Sequence, residues 1–466
     1  MCGIAGVFNS QYASEYVFLM IYSLQHRGQE SVGISSSDGK KIYTVKRAGR
    51  VLEALKQEDL NSLKGNMAIA HVRYSTAGHA GGFNAQPIVR ETPLGEVALV
   101  HNGNLVNFLT LRKELESKGI KFNYNSDTEV FLALLEEEKE VNPEGVEMHP
   151  LDKEIIPRLL YVFSRVRGAY SLLFLFRDRI VAVRDPYGFR PLAIGRKGKS
   201  ILFASESCAF DILEGELWRE LKPGEIIVVD EKGLRSYRIL NSSRKAQCIF
   251  EFVYFARPDS YIFNDWVYNV RKEMGKQLAR EDDVEADVVI PVPDSGIVPA
   301  LGYAEEKKLP FEYGLIRNHY VGRSFIEPTP ELRNLRVLMK LSPNRAVLQG
   351  KRIVVIDDSL VRGTTSKRIV SMLKRAGVKE IHMRIASPPV VGPCYYGIDT
   401  PTKEELIANR MPLEDIAKFI GVDSLRYLSL EGLRKAVKNS GDFCDACFSL
   451  NYPVEVEDLK ALKIKP

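Results

Sequence analysis

From Lys351 to Gly377 the chain reads KRIVVIDDSLVRGTTSKRIVSMLKRAG, and few folds can accommodate that order. The apolar run has the length of one strand and no polar alternation, as expected for a strand buried on both faces of a parallel sheet. Two acids, Asp357 and Asp358, end it. A polar loop with Gly363, Thr364 and Thr365 follows, and an amphipathic helix begins. Upstream, ADVVIPVPDSG is a second apolar strand ending in a Pro/Asp/Ser/Gly turn. Strands that alternate with helical patterns predict βαβ units, so the second half of the chain is expected to be α/β with a parallel sheet. Open sheets of this kind bind ligands beyond the carboxyl ends of their strands. Adjacent carboxylates there suit ribose hydroxyls or a hydrated magnesium ion. A glycine and two threonines opening a helix suit a phosphate, through backbone N–H groups, hydroxyls and the helix dipole. A simple capping loop would not require this combination.

The first half is written differently. CGIAGVF, NMAIAHVRY, EVALVHNGN, AYSLLFLF, IVAVRD, ILFAS and EIIVVD are apolar runs bounded by turn residues, which predicts many short strands. Helical spacing predicts two helices, over Val106–Lys118 and Asp127–Glu138, with Asp127 at the N-cap. The change of style falls at Lys232–Gln247, which is polar and basic. Two domains are therefore expected, residues 2–235 and 247–466, in keeping with a length of 466 residues. A net charge of +5 is too mild for a dedicated nucleic-acid binder and compatible with phosphorylated small substrates. No apolar run reaches the length of a membrane span, and MCGIAGVFNS has no secretory pattern, so a cytoplasmic protein without membrane or nucleic-acid partners is expected.

Cys2 alone would carry little meaning. If Met1 is removed, however, one residue holds both a thiol and an α-amine, a nucleophile with its own base. The amine's ordinary pKa near ~8 lets it accept the thiol proton at neutral pH. HNGNL (His101–Leu105) follows a strand with an Asn-Gly turn, whose amide and glycine N–H can serve an oxyanion. QHRGQE and HVRYSTAG each place an arginine among turn residues, and NSDTE places Asp127 at a helix start. A zwitterionic amino-acid substrate needs one cation and one anion, and Arg73 with Asp127 suits it.

Taken together, CGIAGVF, QHRGQE, HVRYSTAG, NAQP, HNGNL and NSDTE resemble the glutaminase domain of the N-terminal-nucleophile (class II) amidotransferases. The resemblance implies a four-layer αββα sandwich. It further implies Cys2 as nucleophile, Asn102 and Gly103 as oxyanion hole, and Arg73 and Asp127 as glutamine anchors, with Arg27 in support. VVIDDSLVRGTTS and VPDSG resemble the type I phosphoribosyltransferases. There the resemblance implies phosphoribosyl pyrophosphate (PRPP) contacts at Ser295, Gly296, Asp357, Asp358, Ser359, Arg362, Gly363, Thr364 and Thr365. Magnesium would sit near Ser295, Asp357 and Asp358. Between the two motifs, residues 317–345 carry six Lys/Arg against two acids, which reads as a mobile lid over a polyanion.

Both halves in one chain, with YFARPDS (Tyr254–Ser260), resemble the amidotransferases that place glutamine nitrogen on PRPP and open de novo purine synthesis. Purine nucleotide inhibition and a homo-oligomer are implied. One branch of that family holds a [4Fe–4S] cluster, and its ligands match Cys248, Cys394, Cys444 and Cys447, leaving Cys208 to the core. That branch usually has a short propeptide before the nucleophile, which this sequence lacks. Four thiolates suit iron–sulfur or zinc alike. A different class II synthase and a non-enzymatic PRPP-binding regulator remain as alternatives. No SGGxDS-type nucleotide loop is present for an asparagine synthetase, and a regulator would not need Cys2, Arg73, Asn102 and Asp127 together.

Overall fold

The computed structural model describes residues 1–74, 84–143, 146–238, 244–318 and 340–458. Up to Arg238 the strands form two antiparallel sheets, one of seven strands and one of six. The strand Gly3–Phe8 lies inside the first, between Met67–Arg73 and Ser200–Ala204. Gly95–Leu105 and Gly168–Leu175 pair within the second. The sheets face each other across Ile4, Phe8, Ile69, Ala98, Val100, Leu173, Ile194 and Phe203. The helix Ala13–Ser23 covers the outside of the first sheet. Phe108–Ser117, Thr128–Leu135 and Ile155–Arg165 cover the outside of the second. The order is helix, sheet, sheet, helix, so the central strands are buried on both faces and read as unbroken apolar runs.

Two of these helices escape the sequence reading. In Ala13–Ser23 the half-buried Tyr16, Phe18 and Leu19 and the exposed Tyr22 widen the apolar face and blur the helical period. In Ile155–Arg165 the stripe Ile155, Ile156, Leu159, Leu160, Phe163 is helical, but Pro157 reads as a break. It stands in the first turn, where a missing N–H breaks no intrahelical bond.

In the second half Val288–Pro291, Arg352–Asp357, Glu380–Ile385 and Ser424–Tyr427 form one parallel sheet. Val288, Ile290, Ile353 and Val355 face the helix Thr364–Arg375. Val289, Val354 and Ile356 face the helices Val267–Arg280 and Ile297–Lys307. Those two helices meet backbone to backbone. A Cβ at Gly275 would fall 1.9 Å from the Pro299 carbonyl oxygen, and one at Gly302 equally close to that of Lys272. Gly275→Ala is therefore expected to cost about 1–3 kcal/mol by forcing the helices apart, seen as a lower denaturant midpoint for the second half.

Candidate functional site

Gly3 pairs with Val72, which sets Cys2 opposite the end of the strand that carries Arg73. The Cys2 Sγ lies 3.7 Å from the Tyr74 carbonyl oxygen. The Cys2 N–H points to Asn102 Oδ1 at 3.4 Å. Asn102 and Gly103 come from the facing sheet, paired with Ser171 and Tyr170. Asn102 is fully buried, and its Nδ2 has no hydrogen-bond partner among the described residues. An unsatisfied buried donor costs about 1–3 kcal/mol, a cost that an acceptor brought by a ligand would remove. Gly103 has φ +155, and a Cβ there would meet the Ala169 carbonyl oxygen at 2.0 Å. Only glycine fits.

Asp127 precedes the helix Thr128–Leu135, but its side chain makes no cap hydrogen bond. Instead it accepts the Leu105 N–H at 3.0 Å and stands 3.7 Å from His101 Nδ1. Burial alone would lift the Asp127 carboxyl, but the His101 imidazole overrides it and holds the acid below its usual range. Conversely, burial would depress His101, and Asp127 raises it instead. NAQP supports this arrangement from the side. Gln86 accepts the His101 N–H at 2.7 Å and donates to Thr128 at 2.9 Å.

Arg27 has no room to reach a substrate directly. Its Nε donates to the Cys2 carbonyl at 3.0 Å. Its remaining nitrogens bind Glu206 and, at 2.8 and 3.1 Å, both oxygens of Glu251. Arg190 joins Glu251 at 3.3 Å, and all four side chains are fully buried. Breaking one partner out of such a group costs roughly 3–5 kcal/mol. Glu206, Glu251 and Arg190 carry no local sequence signal. Met1 is also buried here, its Sδ accepting from Arg190 at 2.9 Å.

At the carboxyl end of the parallel sheet, Val292 N–H bonds the Ile356 carbonyl at 2.8 Å and brings the VPDSG turn over the acid pair. The Pro293–Asp294 peptide in this turn is cis. Ser295 and Ser359 each donate to Asp358 at 2.6 Å. Burial, and then the charge on Asp358, push the Asp357 carboxyl well above its usual range. A divalent cation would relieve that repulsion, so Ser295, Asp357 and Asp358 fit magnesium in character. Gly363 has φ +75 and starts the helix Thr364–Arg375, leaving Thr364 and Thr365 exposed. Arg362 is turned to Glu405 at 3.0 Å. A cleft of about 690 Å³ runs from His26 and Gln29 of the first half to Tyr254, Arg271, Ser295 and Thr365 of the second. The expected lid lies mostly in 319–339, outside the described residues.

Among the described residues no set of three or more His, Cys, Asp or Glu side chains is already arranged to hold a metal ion. The four candidate cysteines nevertheless share one neighbourhood. Cys248 and Cys444 are register partners in a short parallel pair. Cys447 accepts the Val391 and Gly392 N–H groups through its carbonyl, three residues from Cys394 and nearer. The Tyr396 N–H donates to Cys394 Sγ at 3.4 Å. Burial lifts the Cys248 thiol to about 11. It also raises Cys444 and Cys447, with the other thiols adding to the effect. One side-chain torsion moves a cysteine sulfur by ångströms without moving backbone, so the backbone convergence is the stronger guide to whether four thiols can share a centre. Cys208 is core, packed under the first sheet.

Comparison with known proteins matches residues 71–211 to the glutamine amidotransferase domain and residues 267–386 to the phosphoribosyl transferase domain. The chain is 49% identical to amidophosphoribosyltransferase 1, chloroplastic, of Arabidopsis thaliana, over 98% of this chain and 80% of the relative. It is 47% identical to the amidophosphoribosyltransferase of Methanocaldococcus jannaschii, over 99% of both. Among solved structures it resembles glutamine PRPP amidotransferase from B. subtilis complexed with ADP and GMP, with TM-score 0.88 and 43% identity over 98% of each chain.

Proposed function

This chain belongs to the amidophosphoribosyltransferase family, and from that premise we propose how its own residues carry the reaction. Glutamine, PRPP and water give 5-phosphoribosylamine, glutamate and pyrophosphate, the first step of de novo purine nucleotide synthesis. In our reading Met1 is removed and the new α-amine of Cys2 takes the thiol proton. The thiolate attacks the glutamine side-chain carbonyl. Asn102 Nδ2 and the Gly103 N–H receive the oxyanion, which the unpartnered Asn102 amide supports. Collapse releases ammonia and leaves a γ-glutamyl thioester, which water cleaves to glutamate. Arg73 and Asp127 hold the α-carboxylate and α-ammonium. Arg27, bound to the Cys2 carbonyl, orients the nucleophile.

Ammonia then attacks the anomeric carbon of PRPP and pyrophosphate departs. Asp357 and Asp358 hold the ribose hydroxyls, and Gly363, Thr364 and Thr365 the 5′-phosphate. Ser295, Gly296, Ser359 and Arg362 complete the PRPP site, with Ser295 on the pyrophosphate side. Magnesium held at Ser295, Asp357 and Asp358 would neutralise charge on the leaving group. The observation that carries the reading is the cleft shared by both halves. Tyr254 stands in it, its phenol raised above the usual range first by burial and then by the charge on Asp358, with Tyr74 and Asp357 adding less. The test is to mix protein, glutamine, PRPP and Mg²⁺ and follow products. Glutamate and pyrophosphate should form together and in equal amounts. Glutamate release that ignores PRPP would overturn the coupling.

Cys248, Cys394, Cys444 and Cys447 are read as ligands of a [4Fe–4S] cluster, which would tie the start of the second half to the chain's C-terminal region. Protein purified without oxygen should be brown and carry about four irons per chain. Colourless, active protein with a single zinc would refute this and leave the catalysis intact. Purine nucleotide inhibitors are expected at the phosphate cradle of Gly363–Thr365, since a nucleotide 5′-phosphate and that of PRPP present the same group. Inhibition that excess PRPP fails to relieve would place them elsewhere.

A further inference from the structure

The loop Cys394–Gly397 belongs to the second half of the chain, yet it lies against the strand end that carries Asn102 and Gly103. A Cβ at Gly397 would fall 2.9 Å from the Gly103 carbonyl carbon and 3.0 Å from its Cα and oxygen. Gly397 has φ +106, where side chains are strained. Beside this contact, Asn104 Nδ2 donates to the Tyr395 carbonyl at 2.9 Å. The loop cannot easily retreat. Arg190 donates twice to the Tyr396 carbonyl, at 3.0 and 2.6 Å. The Tyr396 ring stacks on Phe189 at 4.4 Å, and its hydroxyl donates to the Val454 carbonyl at 2.5 Å. Gly103 is thus closed in by the Ala169 carbonyl on one side and by Gly397 on the other.

We propose that Gly397 is a positioning residue for the oxyanion hole. The second half of the chain supplies the wall against which the Asn102–Gly103 peptide is set, with Asn104 as the tether. The inference rests on reading Asn102 and Gly103 as the oxyanion donors. Stabilisation of developing charge depends on donors pre-set at hydrogen-bond distance from where the oxyanion forms. A side chain at 397 must displace Gly103 or open the wall, and either one misdirects the donors. Because the loop starts at Cys394, the cysteine quartet and the oxyanion strand are braced by the same segment.

The test uses the full chain with Gly397→Ala, Asn104→Ala and Asn102→Ala. Three quantities are measured: kcat and KM for glutamine, synthesis from ammonia, and inhibition by glutamate γ-semialdehyde. That aldehyde adds the Cys2 thiolate, the sulfur–carbon bond forming as the carbonyl π pair moves to oxygen, so its affinity reports on the hole. Gly397→Ala should lower kcat and aldehyde affinity by about 100-fold, in line with loss of one oxyanion donor, with KM for glutamine and the ammonia reaction nearly unchanged. Wild-type kcat and aldehyde affinity in that variant would overturn the proposal. Should Gly397→Ala also lose the ammonia reaction, Asn104→Ala decides, because it deletes the tether without a clash. It must weaken the aldehyde several-fold at constant KM, and no change refutes the wall. Full activity and aldehyde affinity in Asn102→Ala would instead bring down the oxyanion reading itself. Loss in Asn102→Ala with neither other variant affected would bring down only the role of Gly397.

Discussion

Replacing Cys2 with alanine abolishes glutamine-dependent synthesis and leaves synthesis from ammonia standing. In the proposed mechanism the Cys2 thiol is the attacking group, set beside Asn102, and alanine offers nothing in its place. Losing the attacking atom of a covalent mechanism removes at least about 10⁴-fold in rate. The acid pair Asp357 and Asp358 is untouched, because its hydrogen bonds from Ser295 and Ser359 lie within the second half. High ammonia should therefore still be converted with PRPP. A chain that keeps Met1 should behave like the alanine variant, since the nitrogen of Cys2 is then an amide and cannot take a proton. Intact mass and activity on one sample check both statements. Equal loss of the two activities in folded Cys2→Ala would contradict the separation of sites.

Asp357→Asn combined with Asp358→Asn removes synthesis from both nitrogen sources. Both carboxylates are nearly buried at the end of one parallel strand, and burial plus mutual repulsion hold Asp357 well above its usual range. Such a pair is costly to keep in the free protein, and a cation bound beside it would relieve that cost. Amides keep the shape and discard the charge. PRPP binding in the presence of magnesium is expected to fall by at least about 100-fold, as for loss of a charged clamp on a phosphorylated group. Calorimetry reads this directly, and unchanged PRPP affinity would contradict the assignment. Thermal stability should hold or rise, because removing two buried, mutually repelling acids relieves the fold.

Much of the architecture was written locally. The run VVIDDSLVRGTTS contains its strand, its acids and its phosphate-type helix start within thirteen consecutive residues, and the folded chain keeps them in that order. Periodicity and turn residues carry this kind of information because strand, turn and first helical turn are set by neighbours in sequence. HNGNL differs: the Asn-Gly turn expected there is absent, because Asn102 and Gly103 continue the strand Gly95–Leu105 opposite Ser171 and Tyr170, and glycine is required at 103 by its positive φ and the Ala169 carbonyl of the neighbouring strand. Asp127 was legible as a residue at a helix start, but its bonds to Leu105 and its partner His101 were not, for they depend on how a helix meets the end of a strand. The group that holds the Cys2 carbonyl is still more remote. Arg27, Glu206 and Glu251 lie far apart along the chain, and no spacing or propensity links them. Burial pairs them: an arginine enclosed by two sheets and the start of the second half must find carboxylates there or pay the full desolvation of its charge. The contact of Gly397 with Gly103 is likewise a fact of packing alone. Sequence determined which chemistry each half could perform. Tertiary structure decided that the two halves share a cleft and that a loop of one presses on the strand of the other that carries Asn102 and Gly103, because only close packing brings residues nearly three hundred positions apart within van der Waals reach.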